Sequence, residues 1–222
     1  MGQASPADNY RRIRDALPEE VALVVAAKGR SAREVAQVIE AGAAVIGENY
    51  VQEAERLRAG LGEEAGRVEW HMIGRLQRNK VNRALPLFDM VQSVDSLRLA
   101  RALDERAERP VRVLLEVNVG GEESKSGVAP EGVGPLLEQV AALEGLRVEG
   151  LMTMEPYLAD PDEARPYFRR LRELFERLGE AGLPNVRMRV LSMGMTHSWR
   201  VAVEEGANMV RIGTAIFGPR AG

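Results

Sequence analysis

Lys28 closes the apolar run VALVVAA (21–27) and is followed at once by Gly29, Arg30 and Ser31. The chain contains 30 lysines and arginines, yet only Lys28, Lys80 and Lys125 are lysines. Generic positive charge is supplied by arginine, so a lysine ending a buried strand points to chemistry. An amine drawn out of water loses solvation of its charged form, and the neutral amine attacks a carbonyl carbon. Far along the chain, Ser192-Met193-Gly194-Met195-Thr196 and Gly213-Thr214 combine glycines with hydroxyls. Glycine lets backbone amides approach an oxyanion, and the free amides at a helix start donate to it. Arg211 lies two residues ahead of Gly213, among apolar neighbours.

These residues must be held by a scaffold, and the pattern around them is regular. Apolar runs occur at 21–27, 43–49, 68–74, 88–94, 111–119, 147–154, 187–194 and 208–218. Helical patterns separate them, among them SAREVAQVIEAG with Ser31 as N-cap, Glu34 three residues on and Gly42 past the end. SLRLARALDERAER and DPDEARPYFRRLRELFERLGEAG read as two more helices, and RRIRDAL precedes the first strand. GEEAGR (62–67) and VGGEESKSG (119–127) read as loops. Continuous apolar strands suit a parallel sheet covered on both faces. Eight such units in 222 residues point to an α/β fold, a single (β/α)8 TIM-type barrel with an extra N-terminal helix. The barrel proper would occupy about 20–218 of one domain spanning 1–222. A doubly wound sheet is the alternative, but Lys-Gly-Arg-Ser replaces its usual glycine-rich first turn.

Active sites of such barrels lie at the C-terminal strand ends, and phosphate groups often bind after strands 7 and 8. Lys28 falls at the end of strand 1, Asn49 at the end of strand 2, the 192–196 segment after strand 7 and Gly213-Thr214 after strand 8. A lysine facing a phosphate cradle suggests a Schiff base with a phosphorylated aldehyde or ketone. Pyridoxal 5'-phosphate is the first candidate, a phosphorylated sugar the second. Arg211 points to the same face as Gly213, into the barrel. Arginine only donates hydrogen bonds, so a pyridine nitrogen beside it stays unprotonated and the ring becomes a weak electron sink. The plainer readings are a lysine reaching solvent, an Arg211 paired with a buried carboxylate such as Glu116, and an ordinary capped turn at 192–196.

Bulk properties narrow the field. Net charge is −3, which gives no field for nucleic acid or acidic lipid. The chain has no cysteine, which removes disulfides and thiol chemistry. The two histidines, His71 and His197, are far apart, so no metal is expected, and His71 reads as a satisfied core histidine. The polar N-terminus is no signal peptide and no apolar run reaches a membrane span, so a cytoplasmic location is expected.

The stretches VVAAK, GENYVQEA, WHMIGRLQRNK, LLEVNVGGEESKSGV, GLMTM, LSMGMT and VRIGTAIFG resemble the pyridoxal phosphate homeostasis proteins, single-domain relatives of the alanine racemase barrel. The resemblance runs from Lys28 to Gly218. It implies pyridoxal phosphate bound as a Schiff base to Lys28, with phosphate contacts from Ser192, Gly194, Met195, Thr196, Gly213 and Thr214. It places Arg211 near the pyridine nitrogen and Asn49 near the ring. It implies a role in holding or delivering the cofactor, with transient contact to cofactor-dependent apoenzymes and no established turnover. Arg30 stands where the family often has a second lysine, Arg75 where it has histidine, and Thr196 where it has serine.

A weak amino-acid racemase is the alternative. It needs an acid opposite the lysine, which alanine racemases supply as a tyrosine from a second domain. That domain is not expected here, and of Tyr10, Tyr50, Tyr157 and Tyr167 only Tyr50 falls near a strand end. Without that domain's interface a monomer is expected. A sugar-phosphate aldolase would carry its lysine on a later strand, and a pure scaffold is the remaining reading. Lys80 and Lys125 are expected on a helix and a loop, Lys125 as a possible further cofactor contact.

Overall fold

The computed structural model describes residues 4–122, 125–156 and 158–219. Its eight strands are β1 Ala22–Ala26, β2 Val45–Glu48, β3 Glu69–Met72, β4 Met90–Val94, β5 Val111–Glu116, β6 Leu146–Met152, β7 Val186–Ser192 and β8 Met209–Ile212. They pair in chain order, all parallel, and β8 returns to β1 to close a barrel. The helices are α1 Pro6–Asp15, α2 Ala32–Glu40, α3 Val51–Leu61, α4 Val81–Ala84, α5 Leu97–Asp104, α6 Pro130–Ala141, α7 Arg165–Gly179, α8 Trp199–Glu204 and α9 Thr214–Phe217.

The main core lies between the strands' outer face and the helices, where Val25, Ile46, Trp70, Val113, Leu151 and Ile212 meet residues such as Val38, Leu103, Leu137 and Phe168. Inside the barrel two small apolar clusters form among the described residues, one around Val24, Ile73 and Met209, the other around Met90, Leu114 and Met152. Gln92, Ser192 and Arg211 are buried beside them. Closure at the β8–β1 seam is covered by α1: Asn9 donates to the Ile216 carbonyl at 3.0 Å and the Tyr10 hydroxyl to that of Gly42 at 3.0 Å.

The capping box at Ser31 and Glu34 forms as the sequence predicts. Four elements differ from expectation. The apolar run 208–218 is too long for one barrel strand. It divides at Gly213, whose carbonyl accepts from Ile216 and Phe217 and so starts α9. Residues 62–67 form a 3-10 helix rather than a loop. The helix read over SLRLARALDERAER ends at Asp104, because Glu105, Arg106, Glu108 and Arg109 are exposed and have no face to bury. Helix α1 starts earlier than RRIRDAL, at Pro6, where Ser5 caps it. Residues 119–122 and 125–127 are loop, and 123, 124 and Tyr157 lie outside the described residues.

Candidate functional site

The first side chain at the barrel mouth is Lys28, two residues beyond β1. The turn that presents it is tied on three sides. Ala27 donates its amide to the Gly47 carbonyl at 2.9 Å, Gly29 to the Glu53 carboxylate at 2.9 Å, and Arg30 to the Ala27 carbonyl at 2.9 Å. The Arg30 guanidinium reaches the carbonyls of Phe217 and Gly218 and stacks 5.2 Å from the Phe217 ring. It thereby fastens the lysine turn to the end of α9. Lys28 itself is half-buried. Its Nζ sits 5.1 Å from the Tyr50 ring centroid and has no ion pair among the described residues.

Beside β1 in the barrel, β8 carries Arg211, whose register partner is Val24. Arg211 is 4% exposed. It donates from Nη1 to the Ser192 hydroxyl at 2.7 Å and from Nη2 to the Thr153 carbonyl at 2.6 Å. Burial pulls its pKa down, opposed by the charges of Glu155 and Glu116. Among the described residues no carboxylate pairs with it within 4.0 Å. A buried cation with two of its five donors engaged has donors left for a ligand.

The turn after β7 lies next to it. Gly194 has φ +92°, and a Cβ there would stand 2.5 Å from the Ala202 Cβ, so the backbone packs against α8 as only glycine allows. Its carbonyl accepts from the Arg211 amide at 3.0 Å. Met195 donates to the Ser198 hydroxyl at 3.0 Å, and Ser198 in turn donates to Glu155. The Thr196 hydroxyl accepts from the Ala215 amide at 3.3 Å, joining this turn to the start of α9. Gly213 lies so close to β1 that a Cβ would meet the Ala26 carbonyl at 2.8 Å. Thr214, exposed, opens α9. Gly194, Met195, Thr196, Gly213 and Thr214 therefore come together with Lys28 and Arg211 on three neighbouring strands, β7, β8 and β1.

Two predicted residues sit differently. The Ser192 hydroxyl is fully buried beneath Arg211, accepts from it, and donates to Gln92 Oε1 at 2.7 Å. Its one proton is engaged below the mouth. Asn49 is half-buried at the end of β2, its backbone against Gly74, and its side chain makes no hydrogen bond among the described residues.

Several polar groups lie outside the expected binding set. Thr153 offers its carbonyl to Arg211 and its hydroxyl to the Val117 carbonyl. Ser126 donates to Glu116 at 2.6 Å, while Glu116 Oε2 has no partner among the described residues, and burial raises this carboxyl's pKa. Glu48 is fully buried, and burial, then the neighbouring Glu53, raises it to about 8. Gln92 bridges Ser192 and His71. Its one signal was a polar residue inside the strand MVQSV. His71 is 1% exposed and bonded on both nitrogens, as a core histidine should be. Lys80 ends a 3-10 turn, and Lys125 donates to the Glu155 carbonyl at 2.9 Å. His197 is exposed beside Met195, in a cleft of about 260 Å³ that Lys125, Met154 and Glu155 also line.

The donor set fits an anionic, aldehyde-bearing aromatic ligand: one amine, one unpaired buried guanidinium, and two turns where a glycine holds the backbone close.

The model of the alanine racemase N-terminal domain matches residues 4–221. The pyridoxal phosphate homeostasis protein of Aquifex aeolicus is 47% identical over 182 residues, 81% of this chain and 78% of its own. That of Pseudomonas aeruginosa is 41% identical over 206 residues, 91% of this chain and 86% of its own. Among solved structures, PipY of Synechococcus elongatus PCC7942, with PLP bound, has a TM-score of 0.88 at 32% identity, covering 96% of this chain and all of that one. Alanine racemase of Clostridium difficile 630 has a TM-score of 0.78 at 18% identity, covering 96% of this chain and 59% of that one, a likeness of fold alone.

Proposed function

This chain belongs to the alanine racemase N-terminal domain family, and on that premise we propose that it binds pyridoxal 5'-phosphate on Lys28 and serves cofactor homeostasis in the cytoplasm. The observation that carries this reading is the meeting of a half-buried lysine, a buried arginine with no carboxylate partner among the described residues and a two-glycine cradle on β7, β8 and β1. The curated relatives that carry the homeostasis name support it.

Each residue has a task in this reading. Lys28 would hold the cofactor through its amine, the neutral nitrogen bonding to the aldehyde carbon while the aldehyde oxygen leaves as water. The backbone of Gly194, Met195 and Thr196, with Gly213 and Thr214, receives the phosphate. Arg211 would donate toward the ring nitrogen and, being a cation, would leave that nitrogen without a proton. Ser192 holds Arg211 from below, and Asn49 lines the ring side of the mouth. The cofactor supplies an electrophilic carbon and an electron-withdrawing ring, and the arginine keeps that ring a weak sink. Capture and release therefore outweigh turnover. Delivery would proceed by transient contact with apoenzymes, from a monomer that is one domain.

The test is an absorbance spectrum of the protein with added pyridoxal phosphate, before and after borohydride, beside Lys28→Ala. A visible band, bleached by borohydride and fixed on the Lys28 peptide among the three lysines, is expected. No band at excess cofactor overturns the reading. Deuterium exchange at the α-carbon of amino acids separates carriage from racemisation, and no exchange is expected.

A further inference from the structure

A file of buried side chains runs from Arg211 down the inside of the barrel to its far end. Arg211 Nη1 donates to Ser192 Oγ at 2.7 Å, and Ser192 donates to Gln92 Oε1 at 2.7 Å. Gln92 Nε2 lies 2.9 Å from His71 Nδ1 and 3.2 Å from the Met209 sulfur. His71 Nε2 lies 3.2 Å from the Glu69 carboxylate, which also accepts from Arg112 at 2.9 Å. Ser192, Gln92 and His71 are at most 1% exposed, and Glu69 at the far end reaches solvent.

The direction of every bond follows from the arginine. A guanidinium has only donors, so Ser192 Oγ must accept from it. The single Ser192 proton then goes to Gln92, which presents its carbonyl oxygen. The other end of Gln92 is its NH2, so His71 Nδ1 must be the bare nitrogen. The remaining imidazole proton sits on Nε2 and points at Glu69. Each amide proton of Gln92 is used, one on His71 and one on Met209.

We propose that Gln92 is the positioning residue for Arg211, aligned by a neutral His71 protonated on Nε2. Gln92 takes the Ser192 proton, and this leaves a serine lone pair facing the guanidinium. It acts through Ser192 and touches neither Lys28 nor the cofactor. The bond directions belong to the protein alone; only what Arg211 faces rests on the proposed function.

A second proton on His71 would reverse the file. Nδ1–H would need an acceptor, Gln92 would turn its amide, and Ser192 would accept from both Arg211 and Gln92, leaving its own proton without a partner. The charged groups around His71 are Glu69 on its own strand and, behind it, Arg112 on β5, Glu149 on β6 and Arg189 on β7; β4 presents Gln92 and β8 Met209.

Nitrogen-15 NMR of histidine-labelled, cofactor-free protein reads the tautomer. The chain has only His71 and His197, and His197→Gln assigns the signals. A neutral Nε2–H imidazole for His71 near pH 7.5 is expected; an Nδ1–H tautomer or an imidazolium overturns the proposal. In a second arm, Gln92→Leu should raise the pyridoxal phosphate dissociation constant about tenfold. Unchanged affinity in a folded Gln92→Leu overturns it. Should that variant not fold, the NMR result on the unaltered file decides. Failure of the unmodified protein to take up the cofactor would defeat the proposed function, and the NMR arm would still judge the file.

Discussion

The Lys28 amine stands 5.1 Å from the centre of the Tyr50 ring, and Tyr50 itself is 49% exposed. The two residues follow neighbouring strands, β1 and β2, whose register pairs Ala26 with Gly47. The ring shields one side of an amine that has no ion pair among the described residues. A cation over an exposed aromatic face is worth about 0.5–1 kcal/mol. The contact favours the charged amine over the neutral one that captures an aldehyde, so Tyr50→Ala should tighten pyridoxal phosphate binding roughly 2–5-fold in an absorbance titration, and Tyr50→Phe should leave it unchanged. Equal changes in both variants would assign the effect to the hydroxyl instead.

Arg30 fastens the lysine turn to α9 through the carbonyls of Phe217 and Gly218. Charge-assisted bonds of this kind contribute about 1.5–3 kcal/mol. Arg30→Ala should lower stability by about that amount in urea unfolding and speed hydrogen exchange at Gly29. A stable variant with unchanged exchange would mean that the Glu53–Gly29 bond holds the turn unaided.

Gly194 combines φ +92° with a van der Waals clash waiting at Ala202. Gly194→Ala adds backbone strain and overpacking, each about 1–3 kcal/mol. Denaturant unfolding should show a loss of at least about 2 kcal/mol, with weaker cofactor binding in the fraction that remains folded. A loss below about 0.5 kcal/mol would show that α8 moves aside freely.

Glu48 is held protonated, raised to about 8 from an ordinary value of 4.5. Between these values the native state keeps a proton that the unfolded chain has released. Its contribution to stability is therefore fully present below about pH 4.5 and lost as pH rises through about 8. Glu116, also raised, acts in the same direction. Glu48→Gln keeps the acceptor for the Asn49 amide and removes the titration. The variant should be the more stable protein at high pH, by up to about 5 kcal/mol, and match the parent in acid. Parallel stability curves across that window would place an ionised Glu48 in the native protein.

The barrel was legible because period and order are local. Continuous apolar strands, capped helices and one alternation repeated eight times announce parallel strands covered on both faces. Strand ends were less legible, and 208–218 shows why. Apolarity reports burial, and Ile216 of α9 is buried like all four residues of β8, so the run does not mark where the chain turns.

The site divides along the same line. Lys28, Arg211, Gly194 and Gly213 stand out by type and by their place at strand ends, and barrel closure brings β8 back to β1 and sets them side by side. Sequence alone determined which residues could bind an aldehyde and a phosphate. Tertiary structure alone decided that Ser192 turns its proton inward to Gln92, that Arg30 is a clamp, and that Glu48 loses its charge. The reason is physical: a side chain's hydrogen-bond partner and dielectric surroundings come from strands as many as 100 residues away, as Ser192 and Gln92 are. Nothing in the neighbouring sequence encodes that distance.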